Sequence, residues 1–245
     1  MTQYGFYFDQ TRCYGCQACS VACKDWNNLD PGPEKWMGVY EWEKGTFPEI
    51  QLFELAFNCG HCEAAACISA CAHGAIFKED KYGAVLVDPD KCQGDRNCWD
   101  ACPYGTPRFA SDDPHEKMTK CTMCIDRLEK GDIPECVASC PMRALDFGPL
   151  EELKAKYGTC QQLEDMPAPT TKPAWVAKAR QPKKQLVPFN AEEAIELSKL
   201  RGEYKPIFTD SEDLRPVEGV IRRNKLNMKN ATVAEVMANT TNNQG

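Results

Sequence analysis

No apolar run in this 245-residue sequence approaches the ~20 residues that a bilayer crossing needs. Any membrane association is therefore expected to come through another subunit. The opening residues, Met1 to Asp9, carry no basic segment followed by an apolar one, so no secretory signal is expected. Basic charge is also short. Lys and Arg number 29 against 36 Asp and Glu, a formal net charge of −7. A nucleic-acid partner would want a basic face, and none is expected. The chain has no glycine-rich nucleotide fingerprint and no acid–base constellation, so substrate turnover is not expected of it. Histidines number only three. Cys59-Gly60-His61 could open a Rieske-type ligand set, but no second C-x2-H follows. His61, His73 and His115 therefore read as surface or hydrogen-bonding residues.

Cysteine is what the chain has in excess, with 16 residues. Disulfide scaffolds of that density are normally shorter and secreted. Structural zinc wants separated C-x2-C knuckles with four ligands to each metal, and the cysteines here are too crowded for that. Iron–sulfur chemistry remains. Cys13, Cys16, Cys19 and Cys23 follow C-x2-C-x2-C-x3-C. Such a run bends the backbone around one inorganic cube, giving it three thiolates while the fourth reaches a second cube.

Three more runs follow. Residues 9–23 and 88–102 align without a gap: Asp9 with Asp88, Arg12 with Lys91, Cys13 with Cys92, Gly15 with Gly94, Cys19 with Cys98 and Cys23 with Cys102. This is an internal duplication. One position breaks it, where Cys16 of the first copy is replaced by Asp95. Cys59, Cys62, Cys67 and Cys71 form C-x2-C-x4-C-x3-C. Cys121, Cys124, Cys136 and Cys140 form the last run, with a long insert that reads as a solvated helix or loop. Pro103 and Pro141 follow the closing cysteines and stop the turn that each ends. If the fourth cysteines cross over, the runs must be paired. Spacing permits first with second and third with fourth, or first with fourth and second with third.

Around the runs the pattern is plainer. Tyr4–Phe8 and residues 84–88 read as strands, and Trp36–Phe57 as strand-like stretches about a Lys44-Gly45-Thr46 turn. Trp36, Trp42, Phe47, Phe53 and Phe57 are core or partner-facing candidates. A short helix is expected with Pro149 at its first position and Gly158 closing it. Cys160 lies beyond every run and reads as a free thiol. Residues 166–173 read as a semi-rigid proline-rich linker. Helices are expected from Asn190 to Arg201 and from Thr232, in a polar tail that lies along another protein or is disordered.

The motifs Y-G-F-Y-F-D, C-x2-C-x2-C-x3-C-K-D, N-C-G-H-C, D-P-D-K-C, A-C-P-Y-G-T-P, M-T-K-C-T-M-C and S-C-P-M-R-A-L-D-F-G-P occur in that order. Over residues 1–184 they resemble the iron–sulfur subunit of dimethyl sulfoxide reductase and its relatives. The resemblance implies that the first and fourth runs share two clusters, and the second and third the other two. One cluster would take Cys13, Cys16, Cys19 and Cys140, and its neighbour Cys121, Cys124, Cys136 and Cys23. A third would take Cys59, Cys62, Cys67 and Cys102. The last would take Cys92, Cys98 and Cys71, with Asp95 where the family usually has cysteine.

The implied fold is α+β, with two ferredoxin-like modules of the two-cluster type. Residues 1–50 and 111–150 would form the first module and 51–110 the second. Residues 151–245 would supply a helix, the linker and a partner-contacting tail. A carboxylate is a harder and weaker ligand for cluster iron than thiolate. The expected cofactors are three all-cysteine [4Fe-4S] clusters and one Asp95-ligated [4Fe-4S] with a labile corner, the alternative there being [3Fe-4S]. The resemblance also implies a large catalytic partner with a molybdenum or tungsten bis-pterin cofactor, and in many members a membrane-anchor subunit. The chain would then be a non-catalytic, electron-transferring part of an oxidoreductase. It would be soluble in itself, and either cytoplasmic or carried to the periplasm with a twin-arginine partner. Formate dehydrogenases, nitrate or polysulfide reductases and hydrogenases have equivalent subunits. A free polyferredoxin is the reading from another class.

Overall fold

The computed structural model describes residues 2–45 and 50–181, with residues 192, 196, 228, 229 and 232. The chain divides into two compact units, residues 1–180 with 223–245, and residues 181–222. In the smaller unit the described residues are Gln181, Glu192 and Glu196, the last two helical. The helices expected from Asn190 and from Thr232 otherwise lie outside the described residues.

The larger unit is α+β, built from three small sheets and short helices. Strand β1 (Tyr4–Asp9) is the middle of one sheet. It runs antiparallel to β6 (Leu145–Pro149) and parallel to β7 (Trp175–Lys178). Being central, β1 is buried on both faces. Phe6 and Phe8 enter the main core with Trp175, while Tyr7 packs with Leu150, Leu153 and Val176 under helix α6 (Leu150–Tyr157). Pro149 does not begin that helix. It pairs with Tyr4 as the last residue of β6, and its extended ψ of 128° makes it the N-cap instead. Gly158 closes the helix at a φ of 94°, which a glycine adopts without a Cβ clash.

Strands β2 (Gly38–Lys44) and β3 (Gln51–Phe57) form a hairpin, with Trp42 opposite Phe53. Trp42, Phe53 and Phe57 are buried and Trp36 is half-buried, whereas Phe47 and Thr46 lie outside the described residues. Strands β4 (Ile76–Lys78) and β5 (Val85–Val87) make a smaller pair. The helices α1 (Ala18–Trp26), α2 (Ala66–Ala70), α3 (Asn97–Ala101), α4 (Ile125–Leu128) and α5 (Glu135–Ala138) lie within the cysteine runs. All are below the length at which a helix holds itself together in water, so packing must hold them.

Residues 166–173 have linker-like composition, yet they lie against the second cysteine run. The carbonyls of Thr171 and Lys172 accept from Ala64 and Glu63, and Ala174 N–H donates to Gly60 O at 2.7 Å. The segment then continues into β7. Met228 is buried in the same core, and the Lys229 ammonium lies 4.6 Å over the Trp99 ring.

Gly5 and Gly148 face each other across β1 and β6 but differ in their surroundings. A Cβ on Gly5 would stand 2.4 Å from Ala174 O, whereas one on Gly148 would meet nothing within 4 Å. Gly5→Ala is expected to cost about 1–3 kcal/mol, the usual range for overpacking. In a thermal melt of the iron-loaded protein, Gly5→Ala should lower the midpoint by several degrees while Gly148→Ala leaves it nearly unchanged.

Candidate metal centres

The duplicated runs fold alike. Gly15 and Gln17 have φ of 72° and 60°, and Gly94 and Arg96 have 83° and 62°. Cys13 N–H donates to Asp9 O at 3.3 Å, and Cys92 N–H to Asp88 O at 3.2 Å. Arg12 and Lys91 reach back to the side-chain carboxylates of the same two residues, Asp9 and Asp88, at 3.7 and 3.1 Å. Left-handed residues interspersed in a tight loop turn successive N–H groups to its concave side, the shape that cradles an anion. The other two runs share a different device. His61 and Met123 occupy the same place in C-G-H-C and C-T-M-C, with φ of 42° and 61°. Their N–H groups donate to Cys59 Sγ and Cys121 Sγ, each at 3.4 Å. After the closing cysteines of the second and fourth runs, Ala75 N–H and Ala144 N–H turn back onto Cys71 Sγ and Cys140 Sγ at 3.3 Å.

Side chains from different runs converge in four places. Cys13, Cys16, Cys19 and Cys140 line one cavity with Phe8 and Leu145. Cys59, Cys62, Cys67 and Cys102 line a second with Tyr104 and Thr171. A third is lined by Cys71, Cys92, Asp95 and Cys98, together with His73 and Met118. Cys23, Cys121, Cys124 and Cys136 are all buried and act electrostatically on one another. Side chains of the first and fourth runs thus meet in two groups, and those of the second and third runs in the other two.

Among the described residues, no three His, Cys, Asp or Glu side chains are close enough to hold a single metal ion. A zinc ion bonded at about 2.3 Å would draw its sulfurs nearly into contact. The thiols of three groups instead ring an open volume, as donors around a polynuclear cube must. Hydrogen bonding fits an anionic cube as well. Asn27 Nδ2 lies 3.7 Å from Cys23 Sγ, Asn58 Nδ2 3.8 Å from Cys121 Sγ, and Thr171 Oγ1 3.2 Å from Cys62 Sγ. Such contacts to ligating sulfur steady the thiolate and tune a cluster's potential.

Without iron these pockets favour neutral thiols. Burial pushes Cys13 and Cys62 up to about 11, and Cys19, Cys23, Cys67 and Cys98 up to about 12. Burial likewise raises Cys121 and Cys136 well above the ordinary thiol value. Iron must therefore supply the positive charge that makes thiolate stable here.

The histidines fill the roles expected of them. His61 is a hydrogen-bonding residue rather than a surface one. It is fully buried, its Nδ1 accepts Val85 N–H at 3.0 Å, and its Nε2 has no partner. Burial first, then the nearby ammoniums of Lys120 and Lys78, keep it neutral by lowering its pKa. His73 Nε2 lies 2.8 Å from Asp95 Oδ2, both side chains near half exposure at 44% and 43%. His115 N–H donates to Asp113 Oδ1 on an exposed turn. Cys160 is exposed, its Sγ donating to Gln162 O at 3.0 Å, and it lines none of the three cavities. Sequence reasoning overlooked Lys120 and Asn58. Each stands immediately before the first cysteine of its run, and that shared position was the available signal.

A family model described as a 4Fe-4S dicluster domain matches residues 50–150. An anaerobic dimethyl sulfoxide reductase chain of Escherichia coli is 43% identical over 186 residues, covering 72% of this sequence and 89% of the relative. The protein of the same name from Haemophilus influenzae is 40% identical over 190 residues, covering 73% and 90%. This chain is a member of the family of dimethyl sulfoxide reductase iron–sulfur subunits. A sulfite dehydrogenase subunit from Allochromatium vinosum is more distant, 37% identical over 172 residues, with 62% and 71% covered. As a family member, this iron–sulfur subunit is an electron-transfer protein. Among its described residues no helix is long and apolar enough to cross a membrane.

Thiol accessibility provides a direct check. In iron-free, reduced subunit at pH 8, an alkylating reagent should label exposed Cys16 and Cys160 well ahead of the rest. In iron-loaded subunit only Cys160 should remain fast, as read by mass spectrometry. Cys13, Cys19, Cys23, Cys62, Cys67 and Cys98 have folded pKa values above the ordinary 9.0. Their contribution to iron-free stability is therefore present below pH 9 and lost as pH rises towards 12. The urea midpoint of iron-free subunit should fall between pH 8 and pH 10.

Proposed function

We propose that the subunit carries four iron–sulfur clusters in single file and relays single electrons to or from a large molybdenum or tungsten pterin subunit. The observation that carries this reading is the meeting of thiols from distant runs in four separate groups. When bound, the clusters supply one-electron redox chemistry with little rearrangement. The chain's own part is to hold them, exclude water and fix their order.

Neighbouring groups lie within electrostatic reach of one another. To the burial that raises Cys136 is added repulsion from Cys19, and to that raising Cys121, repulsion from Cys59. The Cys59 and Cys71 groups share a patch of core around Val85 and Met118. Both observations support the order Cys13 group, Cys121 group, Cys59 group, Cys71 group. They also support two ferredoxin-like modules, one from residues 1–50 with 111–150 and the other from 51–110. At one end of that file, Tyr14, Val21 and Met142 expose apolar surface around the exposed Cys16. A docked catalytic partner would cover that surface. The relatives are named as one chain of a reductase and one subunit of a dehydrogenase, which supports such a partner. The tail beyond residue 181 is assigned to contact with the complex, and a further subunit to any membrane attachment.

At the other end, Asp95 is assigned as the fourth ligand of the Cys71 group. It lines the same cavity as Cys71, Cys92 and Cys98, and His73 engages Oδ2, leaving Oδ1 without a partner among the described residues. Carboxylate grips iron less firmly than thiolate, so this corner should be the labile one. Anaerobically purified protein should contain iron and sulfide for about four cubes. Mild oxidation should convert one cube to a three-iron form visible by EPR, and Asp95→Cys should suppress that conversion at least tenfold. Four oxidation-stable clusters in the unaltered protein, with Cys160 protected from alkylation, would overturn the Asp95 assignment. Colourless protein holding zinc would overturn the whole reading.

A further inference from the structure

Lys120 is only 3% exposed, and its ammonium donates to two backbone carbonyls, Val85 O and Cys121 O. Among the described residues no Asp or Glu pairs with it. Two carbonyls take two of its three N–H donors, and no carboxylate among the described residues answers its charge, a costly state for a buried cation. A neutral donor could tie the same carbonyls without that cost. Asn58 illustrates the contrast. It stands before the first cysteine of its own run, is equally buried, and is neutral.

The ammonium bridges two of the thiol groups. Val85, whose carbonyl it binds, lines the cavity of Cys59, Cys62, Cys67 and Cys102, while Cys121, whose carbonyl it also binds, belongs to the buried group with Cys23, Cys124 and Cys136. Its positive charge accordingly acts on both Cys67 and Cys121. The other nearby cation, Lys78, lies farther out. It is half-buried, donates to His61 O and Cys62 O, and senses Cys62, Glu63 and Cys59. His61, close to both lysines, is neutral.

We propose that Lys120 is a positioning charge shared by the two inner clusters, holding both reduction potentials up so that an electron crosses between the halves without a deep trap. The proposal rests on the reading that the Cys121 and Cys59 groups each hold a cluster. Every electron that enters adds negative charge to a buried anion, and a fixed cation in a low-dielectric interior favours that reduced state.

The test is an EPR-monitored redox titration of the iron-loaded full chain, in its native complex where one is isolated. In Lys120→Met and in Lys120→Gln, which keeps a donor for the carbonyls, two of the four potentials should fall. Each should lose at least tenfold in its reduction equilibrium, or 59 mV for one electron. The other two should stay within threefold, and Lys120→Arg should leave all four near the unaltered values. Potentials that do not move in either neutral variant, or that all move together, overturn the proposal. Loss of iron from both neutral variants but not from Lys120→Arg makes Lys120 a purely structural tie and overturns it too. Fewer than four clusters in the unaltered protein would instead refute the ligand reading, independently of Lys120.

Discussion

A thiolate buried away from water is unstable unless a cation sits beside it, and this protein buries most of its 16 cysteines. Nearly everything else in the fold answers to that constraint. The loops adopt left-handed residues at Gln17, His61, Arg96 and Met123, conformations that L-residues otherwise avoid. In return, N–H groups turn towards sulfur. The helices that present the cysteines are one or two turns long and would not survive alone. Cys19, Cys23, Cys102, Cys136 and Cys140 belong to the same packed cluster as Phe57, Tyr104 and Trp175. Sulfur takes the place that larger aliphatic side chains hold in other small domains. Bound iron is expected to stabilise this packing, because it binds the folded arrangement of thiols and not the unfolded chain.

In the proposed file, the ends differ from the Cys121 group. Cys23, Cys121, Cys124 and Cys136 are buried without exception, whereas Cys16 at one end and Asp95 with His73 at the other reach solvent. An inner relay point benefits from a dry, constant surrounding, while an outer one must approach a partner. Asp95 is the one cysteine position of the first run that the second copy does not keep, and its side chain is 43% exposed.

Spacing alone made the four runs readable, and the gapless alignment of residues 9–23 with 88–102 reappears in matched backbone angles at Gly15 and Gly94. The local strands were equally legible. What escaped was non-local. Strand β7 pairs with β1 across most of the chain, and nothing in the composition of residues 166–173 marks a segment seated on the second run. His61 looked like an ordinary polar residue in a glycine-bearing loop, and its burial depends on Val85 and Phe6, which sit elsewhere in the chain. Lys120 looked like one lysine among many. Only tertiary packing shows that its ammonium is enclosed, bound to the carbonyls of Val85 and Cys121.

The way the runs interlace dictates an order of assembly. The sulfurs of residues 59–102 find their partners within one contiguous stretch, whereas Cys13 waits for Cys140 and β1 waits for β7. On a polypeptide emerging from the ribosome, the amino terminus, although made first, therefore cannot complete its sheet until residues 175–178 have been made.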